Sequence, residues 1–234
     1  MGIELFVLAP VLLGGFVVLV VLAIVFGVRQ QRQRRESLAA FAASIGWRYE
    51  ANAVHLASRW RGTPFGRGSS RAVRHLLTGE FRGRQAAVLE YSFVTGSGDD
   101  ETTSTFTVTM LSLPAALPDL QLTAEGLNGK LARALGRQDI QFESEEFNRR
   151  WRIEAAVLKT AHDIVHPRFM EYMLAGPADP LRIEGTDAWT WHEERLDTTQ
   201  SHARLSRLAD IVDMIPRHVW QDYGHAAPTG TVGA

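Results

Sequence analysis

The sequence predicts an α+β protein, in which an N-terminal transmembrane helix precedes a soluble domain with an antiparallel sheet (a meander plus a hairpin) packed by several helices. Three observations lead to this prediction. An uncharged apolar block lies near the N-terminus, three neighbouring runs are rich in β-branched and aromatic residues, and segments of helical periodicity flank those runs. The 234 residues suffice for one ordinary domain and an appendage, which excludes a large multidomain protein.

The apolar block spans residues 5–28 and contains no charged residue. As a helix it is about 36 Å long, enough to cross a hydrocarbon core of about 30 Å. Glu4 precedes it, and four arginines follow it: Arg29, Arg32, Arg34 and Arg35. A cleavable signal peptide carries its positive charge before the apolar stretch, so the order here is inverted. The positive-inside rule predicts a single-pass protein of the cell membrane, with its N-terminus outside and its C-terminal domain in the cytoplasm.

The predicted organisation is an anchor with a basic flank (1–35), a cytoplasmic α+β domain (36–224) and a disordered tail (225–234). The net charge of −1 conceals an uneven distribution. Residues 37–97 hold eight Arg against three Glu, net +5, and residues 98–234 hold 13 basic against 21 acidic side chains, net −8. Cysteine is absent, which excludes disulfides, thiolate zinc sites and cysteine nucleophiles.

The first part of the domain predicts a helix and then a meander. Residues 36–45 have helical spacing and are followed by Gly46 at the C-cap position. A short strand, a helix and a Gly- and Pro-punctuated loop are expected next, over 47–51, 53–60 and 61–70. Three strands with short connections should then form the meander, over 72–81, 85–94 and 102–113. Pro114 and Pro118 are expected to end it, with a separate short strand over 120–122.

The second part of the domain predicts mostly helices with one hairpin. A helix over 124–135 is expected between Thr123 and Gly136, and Ser144 should cap a short helix that leads into a strand over 151–155. Helices are expected over 156–165 and, after the break at Pro167, over 168–174. Residues 181–184 and 188–192 predict a hairpin around Gly185. The last predicted helix spans 198–215, with apolar residues on one face.

Four segments of this chain carry a resemblance to a known family. They are residues 46–47 (Gly-Trp), 60–66 (Trp-Arg-Gly-Thr-Pro-Phe-Gly), 144–151 (Ser-Glu-Glu-Phe-Asn-Arg-Arg-Trp) and 166–170 (His-Pro-Arg-Phe-Met), together with the N-terminal membrane helix and its basic flank. In this combination the chain resembles a family of uncharacterised bacterial single-pass membrane proteins of unknown function. The resemblance implies the same fold and membrane location, and it implies no activity or catalytic residues.

The motifs that carry chemistry are weak. His162 and His166 are spaced to share a helix face and hold zinc, but Pro167 disfavours helical geometry at His166, and no third ligand or zincin glutamate is present. The sequence His-Glu-Glu at 192–194 lacks a second histidine. The glycine- and serine-rich stretch 66–70 lacks the lysine of a phosphate loop, and the acidic cluster 99–101 does not fit a calcium loop. We therefore expect no metal and no cofactor.

The basic flank has the most specific interpretation. Arg29, Arg32, Arg34 and Arg35 lie where anionic head groups begin, and each basic residue there contributes about 1 kcal/mol of attraction. Five further arginines and no acid lie within 59–74, and proximity to the membrane favours lipid over nucleic acid as their partner.

Function is less determined than location. The leading hypothesis is a non-enzymatic interaction or scaffolding domain at the inner face of the membrane, with an unknown protein partner. The alternative is a membrane-tethered hydrolase or small-ligand sensor with a site near His162 and His166.

Overall fold

The computed structural model describes residues 3–124 and 140–224. It confirms the α+β class: a long N-terminal helix is followed by a domain with a six-stranded antiparallel sheet and several helices. The predicted helix after Ala124 and the predicted tail 225–234 lie outside the described residues.

Helix α1 (Ile3–Ser44) is 42 residues long, or about 63 Å. It joins the predicted membrane span and the predicted juxtamembrane helix into one element, because the residues between them are good helix formers without Gly or Pro. In its part from Phe16 onward, the most apolar window of 18 residues has a mean hydropathy of 1.4 and is not buried against the domain, so its length and composition fit a membrane span. Gly46 (φ +73°) ends the helix as predicted, and Trp47 N donates to Ala42 O at 2.8 Å.

The sheet consists of six described strands: β1 (Arg48–Asn52), β2 (Ser69–Phe81), β3 (Arg84–Thr95), β4 (Thr102–Ala124), β5 (Trp151–Ala155) and β6 (Leu181–His192). The order is β1-β2-β3-β4, and β5 and β6 both pair with β4. Arg82 and Gly83, both at positive φ, form a two-residue turn between β2 and β3. The predicted meander β2-β3-β4 is confirmed.

Two predictions within the sheet are wrong. Strand β4 continues through Pro114 and Pro118, because its pairing with β3 ends at Leu111 and its pairing with β6 is irregular between Ser112 and Leu120. Proline cannot donate a backbone hydrogen bond, and at these positions it does not have to. The predicted hairpin at 181–192 is instead the single strand β6. Gly185 (φ +59°) lies at a register shift opposite β4 and forms an irregularity rather than a turn.

Within the described residues, the helices of the domain are α2 (Glu145–Arg150), α3 (Leu158–Ile164), α4 (Pro167–Ala175), α5 (Thr198–Asp213) and α6 (Arg217–Gly224). Ser144 caps α2 as predicted, accepting from Phe147 N at 3.2 Å. Helix α6 was not predicted, and the predicted helix over 53–60 is only a short 3-10 turn, Val54–Leu56.

Both faces of the sheet are covered. On one face the helices α3 to α6 and the C-terminal part of α1, through Leu38 and Ala42, enclose the larger core. On the other face the segment 53–68 encloses a smaller aromatic core, in which Phe65 packs on Trp60 (ring centroids 4.9 Å apart) and on Tyr91 (4.6 Å). The predicted loop 61–70 therefore covers this face of the sheet through its buried residues, among them Pro64 and Phe65.

Candidate functional site

The four arginines of the predicted basic flank have different environments. Arg29 and Arg35 are exposed, and Arg32 pairs with Glu36 one turn along the helix at 2.8 Å, with both side chains in solvent. Arg34 instead turns toward the domain. Three of the four guanidinium groups thus lie on the surface, at the level where the apolar part of α1 ends.

Arg34 holds α1 against the sheet. Its Nη2 donates to Glu90 Oε2 at 2.8 Å and to Leu196 O at 3.2 Å, and the same Glu90 oxygen accepts from Leu196 N at 3.1 Å. The side chains of Arg34 and Glu90 are only 31% and 11% exposed. With Leu38 and Ala42 in the core, this ion pair makes the last third of α1 part of the domain.

A buried histidine lies beside this junction. His75 (φ +50°) occupies the register shift of β2, and its Nδ1 is 2.8 Å from Tyr49 Oη. Burial lowers the pKa of His75; Glu90 opposes the shift, and the nearby positive charges, among them Arg34, add to it. The imidazole is therefore neutral at physiological pH and serves as a packed element of the junction.

The histidines of the alternative hypothesis are separated. His162 is exposed on α3 and packs on Phe142, whereas His166 (φ −80°, ψ 168°) is the N-cap of α4, as expected for a residue before proline. His166 Nδ1 accepts from Phe169 N at 3.3 Å, and its Nε2 is 3.0 Å from Met214 O. Because a carbonyl only accepts, Nε2 carries the proton, and both nitrogens are engaged in structure. The described residues contain no group of three or more His, Asp or Glu side chains that could hold a metal ion.

A surface groove of about 780 Å³ lies beside His166, between α4, the end of α5 and the start of α6. The side chains that give it its character are Arg168, Glu171, Tyr172, Asp210, Asp213 and Arg217. Two arginines of the β2–β3 turn region pair with acidic residues of its lining: Arg82 pairs with Asp210 and Arg84 with Asp213, each at 2.6 Å.

Asp210 and Tyr172 in this groove are hydrogen-bonded to each other. The hydrogen bond from Arg82 is the main cause that lowers the pKa of Asp210, and Tyr172 Oη donates to the other carboxylate oxygen at 3.0 Å. Burial, and then the hydrogen bond to Asp210, raises the pKa of Tyr172. The carboxylate thus stays ionised and the phenol stays protonated, so neither group is poised to exchange protons near neutral pH.

The remaining motifs also have structural roles. His192 Nε2 lies 2.8 Å from Asp179 Oδ1, and Glu194 binds Arg204 at 2.5 Å, so the His-Glu-Glu motif belongs to an ion-pair cluster between β6 and α5. Arg71 donates to the carbonyls of residues 66, 67 and 68 at 3.1–3.2 Å and fixes the shape of that loop. In the acidic cluster 99–101, Asp100 and Glu101 are exposed at the turn between β3 and β4.

Two acidic residues on β6 that the sequence did not reveal, the buried Asp187 and the partly buried Glu184, hold the segment 59–66. Asp187 accepts from Trp60 Nε1 at 2.8 Å and from Arg59 at 3.2 Å. Glu184 accepts from Arg61 N and Gly62 N, at 3.0 and 2.8 Å. A Cβ on Gly62 would stand 2.3 Å from Arg182 Nε, so a larger residue there would displace the Arg182 side chain. The sequence shows only that these acids lie within a predicted strand or its turn. That signal is too weak to identify partners more than 100 residues away.

Comparisons with known proteins give a likeness of fold. No family model matches the chain, and no curated protein matches it significantly. Among solved structures, the chain is similar to the crystal structure of the mycobacterial trehalose monomycolate transport factor A, TtfA, with a TM-score of 0.57 and 18% identity. The match covers 80% of this chain and 97% of that chain. At this identity the likeness shows that the two proteins share a fold.

Proposed function

We propose that this chain is a membrane-anchored, non-enzymatic interaction protein that serves transport across the membrane, with its domain on the cytoplasmic side. The observation that carries the proposal is the junction: an apolar helix long enough to span the membrane continues into the core of the domain and is clamped there by Arg34, Glu90 and Leu196. A helix held in this way fixes the height and orientation of the domain at the membrane, which is what a docking platform needs.

Three lines of argument support the non-enzymatic role. The two histidines of the alternative are separated and His166 is fully hydrogen-bonded, so the geometry does not support a hydrolytic site between them. In the groove, the hydrogen bond from Arg82 lowers the pKa of Asp210, and burial raises the pKa of Tyr172, so this pair does not exchange protons near neutral pH. The structurally similar mycobacterial protein is a transport factor, and a similar fold makes a similar role in transport the most economical proposal.

We place the partner site in the groove beside Tyr172. Its charged rim, with Arg168, Glu171 and Arg217, surrounds the apolar side chains of Met214 and Pro216, and this mixture is typical of protein–protein contacts. Two of the segments that carry the family resemblance fit this proposal. The segment 60–66 covers the sheet, and 166–170 begins α4 along the groove.

Photocrosslinking tests the proposal. A photoreactive reagent is attached to a single introduced cysteine, since the natural chain has none. Glu171→Cys in the groove and Glu50→Cys on β1 are matched changes of exposed residues. In native membranes, we expect a crosslink to one membrane transport protein from position 171 and not from position 50. Adding Arg168→Glu and Arg217→Glu should abolish it. Equal crosslinking at both positions, or none from the groove, contradicts the proposal.

A further inference from the structure

The direction of α1 along the sheet shows which end of the domain faces the membrane. Arg34 contacts Glu90, whose cross-strand partner on β2 is Arg74. Thirteen residues later, Trp47 lies over Gly79 and donates to Glu80 O at 3.3 Å. The end of α1 and strand β2 therefore run side by side in the same direction, and both lead away from the membrane.

Extending the two elements backward brings the sheet to the membrane surface. From Arg34 back to Val28, where the apolar block ends, α1 covers about 9 Å. From Arg74 back to Ser69, β2 covers about 10 to 16 Å, allowing for the irregularity between Ser69 and Ala72. The start of β2 thus reaches the level of the lipid head groups. The loop 66–68 and the 3-10 turn Val54–Leu56, which is tied to β2 by Ala53 N to Val73 O at 3.0 Å, lie at the same end.

The side chains at this end suit an anionic, partly apolar surface. Arg35, Arg71 and Arg74 are exposed. Arg67 is half-buried and makes no ion pair with any residue that the structure describes, and burial lowers the pKa of its guanidinium. Val54 is 70% exposed, although Val is usually buried. Acidic side chains at this end include the exposed Asp100 and Glu101 at the turn between β3 and β4. The exposed Glu193 and Asp197 lie there as well, since His192 pairs with Thr107 and Leu196 N donates to Glu90.

We propose that this end of the domain, formed by Val54, Arg67, Arg71 and Arg74 together with Arg35, rests on the anionic head groups of the leaflet into which α1 inserts. Arg67, which has no ion-pair partner among the described residues, gains a charge-assisted hydrogen bond from a lipid phosphate, and an exposed valine gains burial at the acyl boundary. Arg71 contributes its charge, since its donors already hold the carbonyls of residues 66–68. This contact supplements the attraction of the flank residues Arg29 and Arg32 to the head groups. It also holds the groove away from the bilayer. The inference rests on the membrane anchoring in the proposed function.

The test uses the full chain with one introduced cysteine that carries a spin label. Val54→Cys probes the proposed contact. Leu158→Cys is the matched control, because Leu158 is 58% exposed and follows β5, which pairs with the far end of β4. The proteins are reconstituted into vesicles of phosphatidylcholine alone or with phosphatidylglycerol, and collision with oxygen, which concentrates in lipid, is compared with collision with a water-soluble nickel chelate.

We expect the label at 54 to be shielded from the nickel chelate in anionic vesicles by about twofold or more relative to neutral ones, while the label at 158 stays in water in both. Arg67→Gln with Arg74→Gln should reverse the shielding, and Asp100→Asn with Glu101→Gln should increase it. A label at 54 that is equally exposed to water in both vesicles, or equally shielded in both, overturns the inference. Failure of anchoring is recognised separately, because the chain would then be extracted from the vesicles by alkaline carbonate.

Discussion

Individual buried charged side chains hold together segments of this protein that are far apart in the sequence. Glu90 holds Arg34 of the membrane helix, Asp187 holds Trp60 of the sheet cover, and Arg182, with a side chain only 5% exposed, pairs with Asp119 at 2.6 Å. Each bond joins segments more than 50 residues apart. Removing one partner leaves the other charge partly desolvated, which costs more than an exposed pair contributes.

Replacement of Glu90 by Gln should therefore lower the free energy of unfolding by about 1 to 3 kcal/mol, because Arg34 loses its counter-charge. Glu36→Gln is the matched control: Glu36 pairs with Arg32 at the same 2.8 Å, but both side chains are in solvent, so little change is expected. Denaturant unfolding in detergent, followed by tryptophan fluorescence, measures both. Equal effects of the two variants would show that the junction does not depend on this ion pair.

Asp179 should make the free energy of unfolding depend on pH. Burial raises the pKa of Asp179, but the His192 hydrogen bond and the positive charges of His192, Arg207 and Arg204 outweigh it, so its pKa lies below the ordinary 3.8. A carboxylate with a lowered folded pKa stabilises the protein above its unfolded pKa, and this contribution is lost as the pH falls through the folded value.

We thus expect Asp179→Asn to be less stable than the natural protein at pH 7, with a difference that shrinks below a pH of about 4. Unfolding free energies of both proteins at pH 7, 5, 4 and 3 measure this. A difference that is constant or that grows in acid contradicts the assignment.

Elements with a complete local pattern were predicted well from the sequence. The apolar block, the Gly46 cap, the strands β2 and β3 and the Ser144 cap each follow from neighbouring residues, so no distant partner is needed to specify them. Strands β4 and β6 were divided wrongly, because Pro114, Pro118 and Gly185 are local signals for turns. Their meaning depends on which neighbouring strand needs a backbone hydrogen bond at that position, and the sequence does not show this.

At the scale of elements, His166 connects α4 to α5. His166→Ala should lower the free energy of unfolding by about 1 to 3 kcal/mol, the sum of a lost helix cap and a lost hydrogen bond to Met214. His166→Asn should restore the cap alone and recover part of this loss. His162→Ala is the control, and because His162 is exposed it should change stability little. Equal, small effects of all three variants would contradict a structural role for His166.

For the whole molecule, α1 couples membrane topology to the position of the domain. The order of Glu4 before and the arginines after the apolar block predicts a cytoplasmic C-terminus. A C-terminal fluorescent protein that matures only in the cytoplasm should therefore fluoresce, and a phosphatase that is active only outside should be inactive. Changing Arg29, Arg32, Arg34 and Arg35 to Gln, with two arginines added before residue 5, should invert part of the population. An active phosphatase on the natural chain would contradict the proposed orientation.

The sequence by itself determined the apolar helix, the α+β class and the meander, because these depend on periodicity and local caps that are complete within about 20 residues. Tertiary structure alone decided that Arg34 faces Glu90 and not the lipid, that His162 and His166 diverge, and that the 61–70 segment covers a core. These features arise from contacts between segments far apart in the chain. A buried charge requires a partner of opposite charge or a hydrogen bond to offset its desolvation. Which charges are buried is decided only when the sheet and helices have assembled.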